Sequence, residues 1–139
     1  MISKWTKFAQ KTRSKIGFTL VEILIVTVII ALLAAIAIPN LVRSRAAANE
    51  SSAQATLKSI SSALENYYAI NNKYPSTTNS LLGATPPYLN KDYFVGSSNG
   101  YSFTSVLADY SYLLTASPVS SSTGTTTYTI ATGAVLGKQ

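Results

Sequence analysis

Glu22 is the one charged residue among the 21 residues from Phe18 to Ile38. A carboxylate in an apolar helix costs up to about 3 kcal/mol at the centre of a membrane, and a cationic partner offsets that cost. Thr19 and Glu22 also have the Thr-x-x-Glu spacing of a capping box, in which both residues bond free amides at a helix start. The pattern therefore predicts pairing with a cation, helix capping, or both at different stages.

Other residues that support chemistry are scarce. The 139 residues include no cysteine and no histidine, and five carboxylates in all. Nucleophilic catalysis and transition-metal sites usually depend on those side chains. Asp92 and Asp109 fall short of the roughly six to eight oxygen ligands that calcium takes. We expect no catalytic residue, no metal site, no cofactor and no enzyme activity.

The apolar segment is long enough to cross a membrane. Residues 18–38 would form a helix of roughly 31 Å, which matches a hydrocarbon core of about 30 Å. The first 17 residues contain five Lys or Arg and no acid, whereas Arg43 and Arg45 follow the segment. Because such a basic excess stays in the cytoplasm, we predict a single-pass protein of the cytoplasmic (inner) membrane with its N-terminus inside.

An amphipathic extension should continue this helix. Its apolar face has spacings of 3, 4 and 3 and consists of Leu57, Ile60, Leu64 and Tyr67. The periodicity predicts one helix over about 19–70, divided into a membrane and assembly half at 18–39 and an amphipathic half at 40–71. Pro39 removes one backbone hydrogen bond, so we predict a helix kink there.

Residues 72–139 are rich in turn formers and hydroxyl side chains and predict a small head domain. A loop over 75–95 should anchor itself on the helix through Leu81, Leu82, Tyr88, Leu89, Tyr93 and Phe94. Strands are predicted at 101–106, 110–116 and 125–131, where apolar and polar residues alternate. Short connections favour an antiparallel meander. The predicted fold class is therefore α+β, with a long N-terminal helix packed against an antiparallel β-sheet.

The run Lys15-Ile16-Gly17-Phe18-Thr19-Leu20-Val21-Glu22 resembles the class III signal of type IV prepilins and pseudopilins. The likeness covers a basic leader ending in Gly17, a first mature residue Phe18, a glutamate at the fifth mature position and Pro39 at the twenty-second. It extends to Tyr74-Pro75, about half of the chain. The paired cysteines that close the C-terminal loop of many pilins are missing. A pilin-like fold is the expectation that this resemblance carries.

The resemblance implies that a prepilin peptidase removes residues 1–17 by cutting between Gly17 and Phe18, and that the new amine of Phe18 is methylated. Removing 17 of the 139 residues leaves a mature chain of 122. In the family, the residue at the position of Glu22 neutralises the terminal amine of a neighbouring subunit, so Phe18, Thr19 and Glu22 would serve assembly. The implied partners are further copies in a helical filament, other minor pilins, the inner-membrane assembly platform and its motor ATPase.

Several functions remain open at this stage. The filament could be an extracellular type IV pilus, active in adhesion, motility or DNA uptake, or the periplasmic pseudopilus of a type II secretion system. A different class is a secreted soluble domain, cut by ordinary signal peptidase after Ala37 to free 102 residues. Pro39 beside that cut and Glu22 within the apolar region argue against it.

The positive charge of the whole chain is a weak indication of nucleic-acid binding. The net charge is +6, and the leader contributes +5 of it. Only +1 belongs to the residues that follow, which are the ones that would meet DNA outside the cytoplasm. We therefore expect nucleic-acid binding as a secondary role at most.

Overall fold

A computed structural model describes residues 17–139, so the leader prediction falls almost entirely outside the described residues. The chain divides into two compact units, one ending at Ile36 and one spanning Ala37–Gln139. In chain order the elements are α1 (Leu20–Asn71), α2 (Asn79–Leu82), β1 (Tyr101–Ala108), β2 (Ser111–Pro118), β3 (Tyr128–Ala131) and β4 (Val135–Lys138).

Helix α1 confirms the long helix predicted from periodicity. It is 52 residues long and includes Pro39 without interruption, while the kink at that residue stays a prediction. The helix ends where Asn72 adopts a positive φ of 56° and its amide donates to the carbonyl of Tyr68 at 2.8 Å. Asparagine tolerates this left-handed conformation better than most residues, so it is a suitable helix stop.

The sheet is a four-stranded antiparallel meander with strand order β1-β2-β3-β4. Its first three strands were predicted, and its fourth was missed. In the register, Phe103 lies opposite Ala116, and Leu114 lies opposite Ile130. Alternation along these strands places one set of side chains against α1 and the other on the outer face of the sheet.

Strands β1 and β2 each extend two residues beyond their predicted ends, to Ala108 and Pro118, and the start of β3 differs for an identifiable reason. Strand β3 begins at Tyr128 rather than 125, because the amide of Thr125 donates to Glu50 and the carbonyl of Thr126 accepts from Tyr101. Strand β4 follows a three-residue loop in which Gly133 and Ala134 have positive φ. In addition, the single turn of α2 lies within the segment that was predicted to be a loop.

The core lies between α1 and the inner face of the sheet. The predicted helix stripe is confirmed: Leu57, Ile60 and Leu64 are fully buried, and Tyr67 packs at the edge. The predicted loop anchors also pack here, with Leu81 and Leu89 buried and the other four partly buried. The sheet contributes Tyr101, Phe103, Tyr112, Leu114, Ala116, Tyr128 and Ile130. One apolar face of the helix is thus covered by the head domain.

Candidate functional site

The start of α1 contains the capping box that the sequence predicts. The amide of Glu22 donates to Thr19 Oγ1 at 3.2 Å. In return, Glu22 Oε2 accepts from the amide and from the hydroxyl of Thr19, each at 2.8 Å. All the recorded bonds to this carboxylate use Oε2. Within residues 17–139, Oε1 is therefore left to accept a hydrogen bond from another molecule.

Gly17 and Phe18 form an accessible junction ahead of the helix. Both residues are exposed and precede the first residue of α1. A Cβ added to Gly17 would meet no described atom within 4 Å. Packing against residues 17–139 therefore gives no reason for a glycine at this position.

The first half of α1 presents apolar side chains with no cover from the rest of the described chain. Every large apolar residue from Phe18 to Val42 is between 43% and 85% exposed. An 18-residue window of α1 has a mean hydropathy of 3.0, and its length and composition suffice to cross a membrane. A continuous exposed apolar surface of this kind marks contact with lipid or with other protein chains.

Glu65 on α1 joins the helix to the head domain through a set of polar contacts, which we call the Glu65 cluster. Tyr112 donates to Glu65 Oε1 at 2.9 Å, and Tyr74 donates to Oε2 at 3.1 Å. The amide of Gly133 reaches Oε1 at 3.4 Å. Ser61 Oγ lies 2.7 Å from the hydroxyl of Tyr112. Since Tyr112 uses its proton on Glu65, Ser61 is the donor in this contact.

A second carboxylate, Glu50, fastens the helix to the loop before β3. Its Oε1 accepts from the amide of Thr125 at 3.2 Å, and its Oε2 accepts from Tyr128 at 3.1 Å. These partners lie 75 and 78 residues away along the chain. Both Glu50 and Glu65 are thus held by neutral donors.

Burial and these carboxylates change the titration of the tyrosines. Burial, followed by the hydrogen bond that Tyr74 donates to Glu65 and by the negative charge of Glu65, raises the pKa of Tyr74 to about 12. Burial is also the largest cause that raises the pKa of Tyr112, with Glu65 adding to it and the bond with Ser61 opposing it. The pKa of Tyr101 is raised by burial and by the charge of Glu50. The phenol form is favoured at all three sites.

These shifts predict a loss of stability in alkali. The pKa of Tyr74 is higher in the folded state, at about 12, than its ordinary value of 10 in the unfolded state. The stability that this difference contributes is therefore complete below pH 10 and is lost as the pH rises towards 12. Within that window Tyr74 should lower the free energy of unfolding by about 1.4 kcal/mol per pH unit. Denaturant unfolding of the full chain in detergent at pH 9 to 12, followed by near-UV circular dichroism, measures this slope.

The matched variants are Tyr74→Phe and Tyr110→Phe. Tyr110 is exposed and takes no part in the Glu65 cluster, so Tyr110→Phe is the control. Tyr74→Phe should reduce the slope by the contribution of one tyrosine, whatever it does to stability at neutral pH. Equal slopes for Tyr74→Phe and the parent chain would contradict the role assigned to the Glu65 cluster.

The structure brings Thr19 and Glu22 together next to Gly17 and Phe18, whereas Pro39 lies well along the helix. The local pattern of apolar residues does not indicate the roles of Glu50 and Glu65 or the burial of Ser61, which is only 1% exposed. Its position four residues after Leu57 was the available signal.

In residues 17–139 no group of three or more acids capable of holding a metal is found.

Comparison with known proteins places the chain in a family. Residues 39–131 match the family model described as "Type IV minor pilin ComP, DNA uptake sequence receptor", and residues 12–38 match the prokaryotic N-terminal methylation motif. The fold and the apolar, acid-bearing helix define a pilin-like subunit. Because the first match spans more than half of its length, the chain belongs to this type IV pilin family of structural subunits.

Individual relatives fall into two functional groups. The chain is 39% identical over 93 residues to the type IV wide pilus major component of Thermus thermophilus, which covers 64% of this chain and 71% of that protein. It is 43% identical over 65 residues to type II secretion system core protein G of Pectobacterium carotovorum, covering 47% of this chain and 42% of that protein. The core protein G of Aeromonas hydrophila is 38% identical, covering 52% and 50% respectively. The chain thus spans half or less of the two secretion proteins.

Proposed function

We propose that this chain is a structural subunit of a type IV pilus or pilus-like filament, and not an enzyme. The observation that carries the proposal is the exposed apolar half of α1 with a single carboxylate near its start. Lipid would cover this surface in the precursor, and neighbouring subunits would cover it in the filament. Burial of each large apolar side chain contributes about 1.5–3 kcal/mol, so repeated contacts of this helix would hold the subunits together.

Processing should precede assembly. A prepilin peptidase would cut the accessible bond between Gly17 and Phe18, and methylation would follow at the amine of Phe18. The match to the N-terminal methylation motif supports both steps. Glu22 would then change its role: in the structure it caps its own helix through Oε2, and in the filament Oε1 would accept from the Phe18 amine of a neighbour.

The partners and locations follow from this scheme. The precursor would reside in the inner membrane with its N-terminus in the cytoplasm. The assembly platform and motor ATPase would extract the mature form, and other minor pilins would join the same filament. The mature chain would end in an extracellular pilus or in a periplasmic pseudopilus, since relatives of both kinds are found.

Mass spectrometry of sheared cell-surface material tests the proposal. We expect filaments that contain a 122-residue chain beginning at methylated Phe18. A product beginning at Ile38 would instead identify a secreted domain released by signal peptidase. A mature chain that begins at Phe18 but stays in the periplasm, with a secretion defect when the gene is deleted, would identify a pseudopilin.

A second function, DNA binding during uptake, has support from the head domain. The matched family is described as a DNA uptake sequence receptor. Glu50 and Glu65 are engaged by internal donors. The cations Lys58, Lys73, Lys91 and Lys138 are all exposed. These exposed lysines therefore outnumber the carboxylates that are not engaged by internal donors. The surface can attract DNA in this way although the net charge of the mature chain is small.

Retention of duplex DNA by the mature protein, measured from 50 to 200 mM salt, tests this second function. Four lysine–phosphate contacts should make the affinity fall by about 150-fold over that range, from a slope of about −0.9 per contact. A preference for one duplex sequence over a shuffled one would indicate base contacts in addition. Retention that does not change with salt would count against DNA binding through these lysines.

A further inference from the structure

A concavity of about 580 Å³ lies between α1 and two loops of the head domain. Helix residues Val42, Arg45 and Asn49 form one wall, and their spacing places them on one face of α1. The turn at Asn99 and the loop containing Ser122 form the other wall. All of its lining residues belong to the unit Ala37–Gln139.

Hydrogen bonds close one side of this concavity. Asn49 donates its amide to the carbonyl of Thr123 at 3.0 Å, and Asn99 donates to Ser52 Oγ at 2.6 Å. Both bonds bridge the helix and the loops at or beyond Asn49. Val42 and Arg45 therefore lie on the side nearer to the apolar segment, which ends at Ile38.

Along the helix, Arg45 lies just beyond the expected headgroup layer, and its side chain is long enough to reach back into that layer. Arg45 is six residues beyond Pro39, which corresponds to about 9 Å along a helix axis. The headgroup layer on each side of the hydrocarbon core is about 5–8 Å thick. A long arginine side chain extends several ångströms and directs its guanidinium towards such an interface.

The lining is suited to an anion. Arg45 is exposed, and no carboxylate is among the residues that line the concavity. The nearest carboxylate along the helix, Glu50, is engaged by Thr125 and Tyr128. Asn49 and Asn99 each retain a second amide proton, because only one is used in the bonds above. A guanidinium with additional N–H donors is an arrangement that recognises phosphate.

We propose that this concavity binds the phosphate of an anionic phospholipid headgroup at the outer surface of the inner membrane. Arg45 is the principal ligand, and the amides of Asn49 and Asn99 complete the set. The bound lipid holds the precursor at a fixed depth until the subunit is extracted. This inference rests on the membrane residence set out under the proposed function.

The test uses the full chain purified in a mild detergent, with phosphatidylglycerol as the probe and native mass spectrometry to count retained lipids. The variants are Arg45→Gln and Arg43→Gln. Arg43 is the matched control, because it is exposed at nearly the same depth but does not line the concavity. Loss of charge-assisted bonds should reduce phosphatidylglycerol retention by Arg45→Gln about tenfold beyond any reduction in Arg43→Gln.

Three further arms identify the source of the phosphate. Zwitterionic phosphatidylcholine should be retained less than phosphatidylglycerol, and 10 mM inorganic phosphate should not displace the lipid. An equal reduction of phosphatidylglycerol retention in Arg45→Gln and Arg43→Gln would overturn the proposal in favour of general attraction to an anionic surface. Displacement by phosphate or by short duplex DNA would overturn it in favour of a free anion or a nucleic acid. A membrane-inserted chain that retains no lipid would refute this inference and leave the filament function intact.

Discussion

A Gly17→Leu variant should accumulate as the uncut 139-residue precursor in the membrane, with little or no 122-residue product. The peptidase proposed here must accommodate the residue before the scissile bond, and a pocket that fits glycine excludes a branched side chain. Misplacement of a scissile bond by about 1 Å can reduce catalysis about 100-fold, and a reduction of that order is expected. Gly17→Ala should be processed slowly rather than blocked. Immunoblots of membrane fractions over time measure the ratio of the two forms.

The structure makes this experiment specific to the peptidase. Since a Cβ at Gly17 meets no described atom within 4 Å, the substitution should leave the fold of the chain unchanged. Ser14→Leu is the control, because it introduces the same side chain into the leader three residues earlier and should be cut normally. A normal yield of the shorter product from Gly17→Leu would refute cleavage at the Gly17–Phe18 bond.

Much of the fold follows from local patterns in the sequence. The spacing of Leu57, Ile60 and Leu64 identifies the buried helix face, and all three are fully buried. Alternation likewise identifies Tyr112 and Leu114 as inward-facing strand residues, because a strand repeats every two residues. Such signals are short in range, so they are readable without knowledge of tertiary contacts.

Other features depend on contacts that no local pattern encodes. Strand β4 has four residues, includes Gly137, and pairs with β3 across a loop that requires positive φ at Ala134. Neither its length nor its composition distinguishes it from a loop. Similarly, Glu50 and Glu65 read as solvated residues of a helix, and their partners are the tyrosines and amides of distant segments. The headgroup concavity also requires knowing which loops approach Arg45.

A Glu22→Val variant should be cleaved normally and inserted into the membrane but should form few or no filaments. The variant removes a carboxylate that is proposed to bond the Phe18 amine of a neighbour. A hydrogen bond between charged groups contributes about 1.5–3 kcal/mol, which is about 10- to 100-fold in affinity for each subunit added. Because a filament requires many successive additions, the effect on its length should be larger still. Electron microscopy of sheared material, with mature protein quantified in the membrane, measures both outcomes.

Two matched variants separate assembly from capping, since the structure shows Glu22 bonded to Thr19. Glu22→Gln preserves the capping-box geometry but removes the charge, because glutamine also serves at this position. Thr19→Ala removes the reciprocal side-chain bond but keeps the carboxylate, and loss of a cap costs about 1 kcal/mol. If Glu22 pairs with the Phe18 amine of a neighbouring subunit, Glu22→Gln should fail to form filaments almost as completely as Glu22→Val. Thr19→Ala should still assemble. Wild-type filaments from Glu22→Gln would assign Glu22 to its own helix, and the attraction between subunits would then rest on the apolar surface alone.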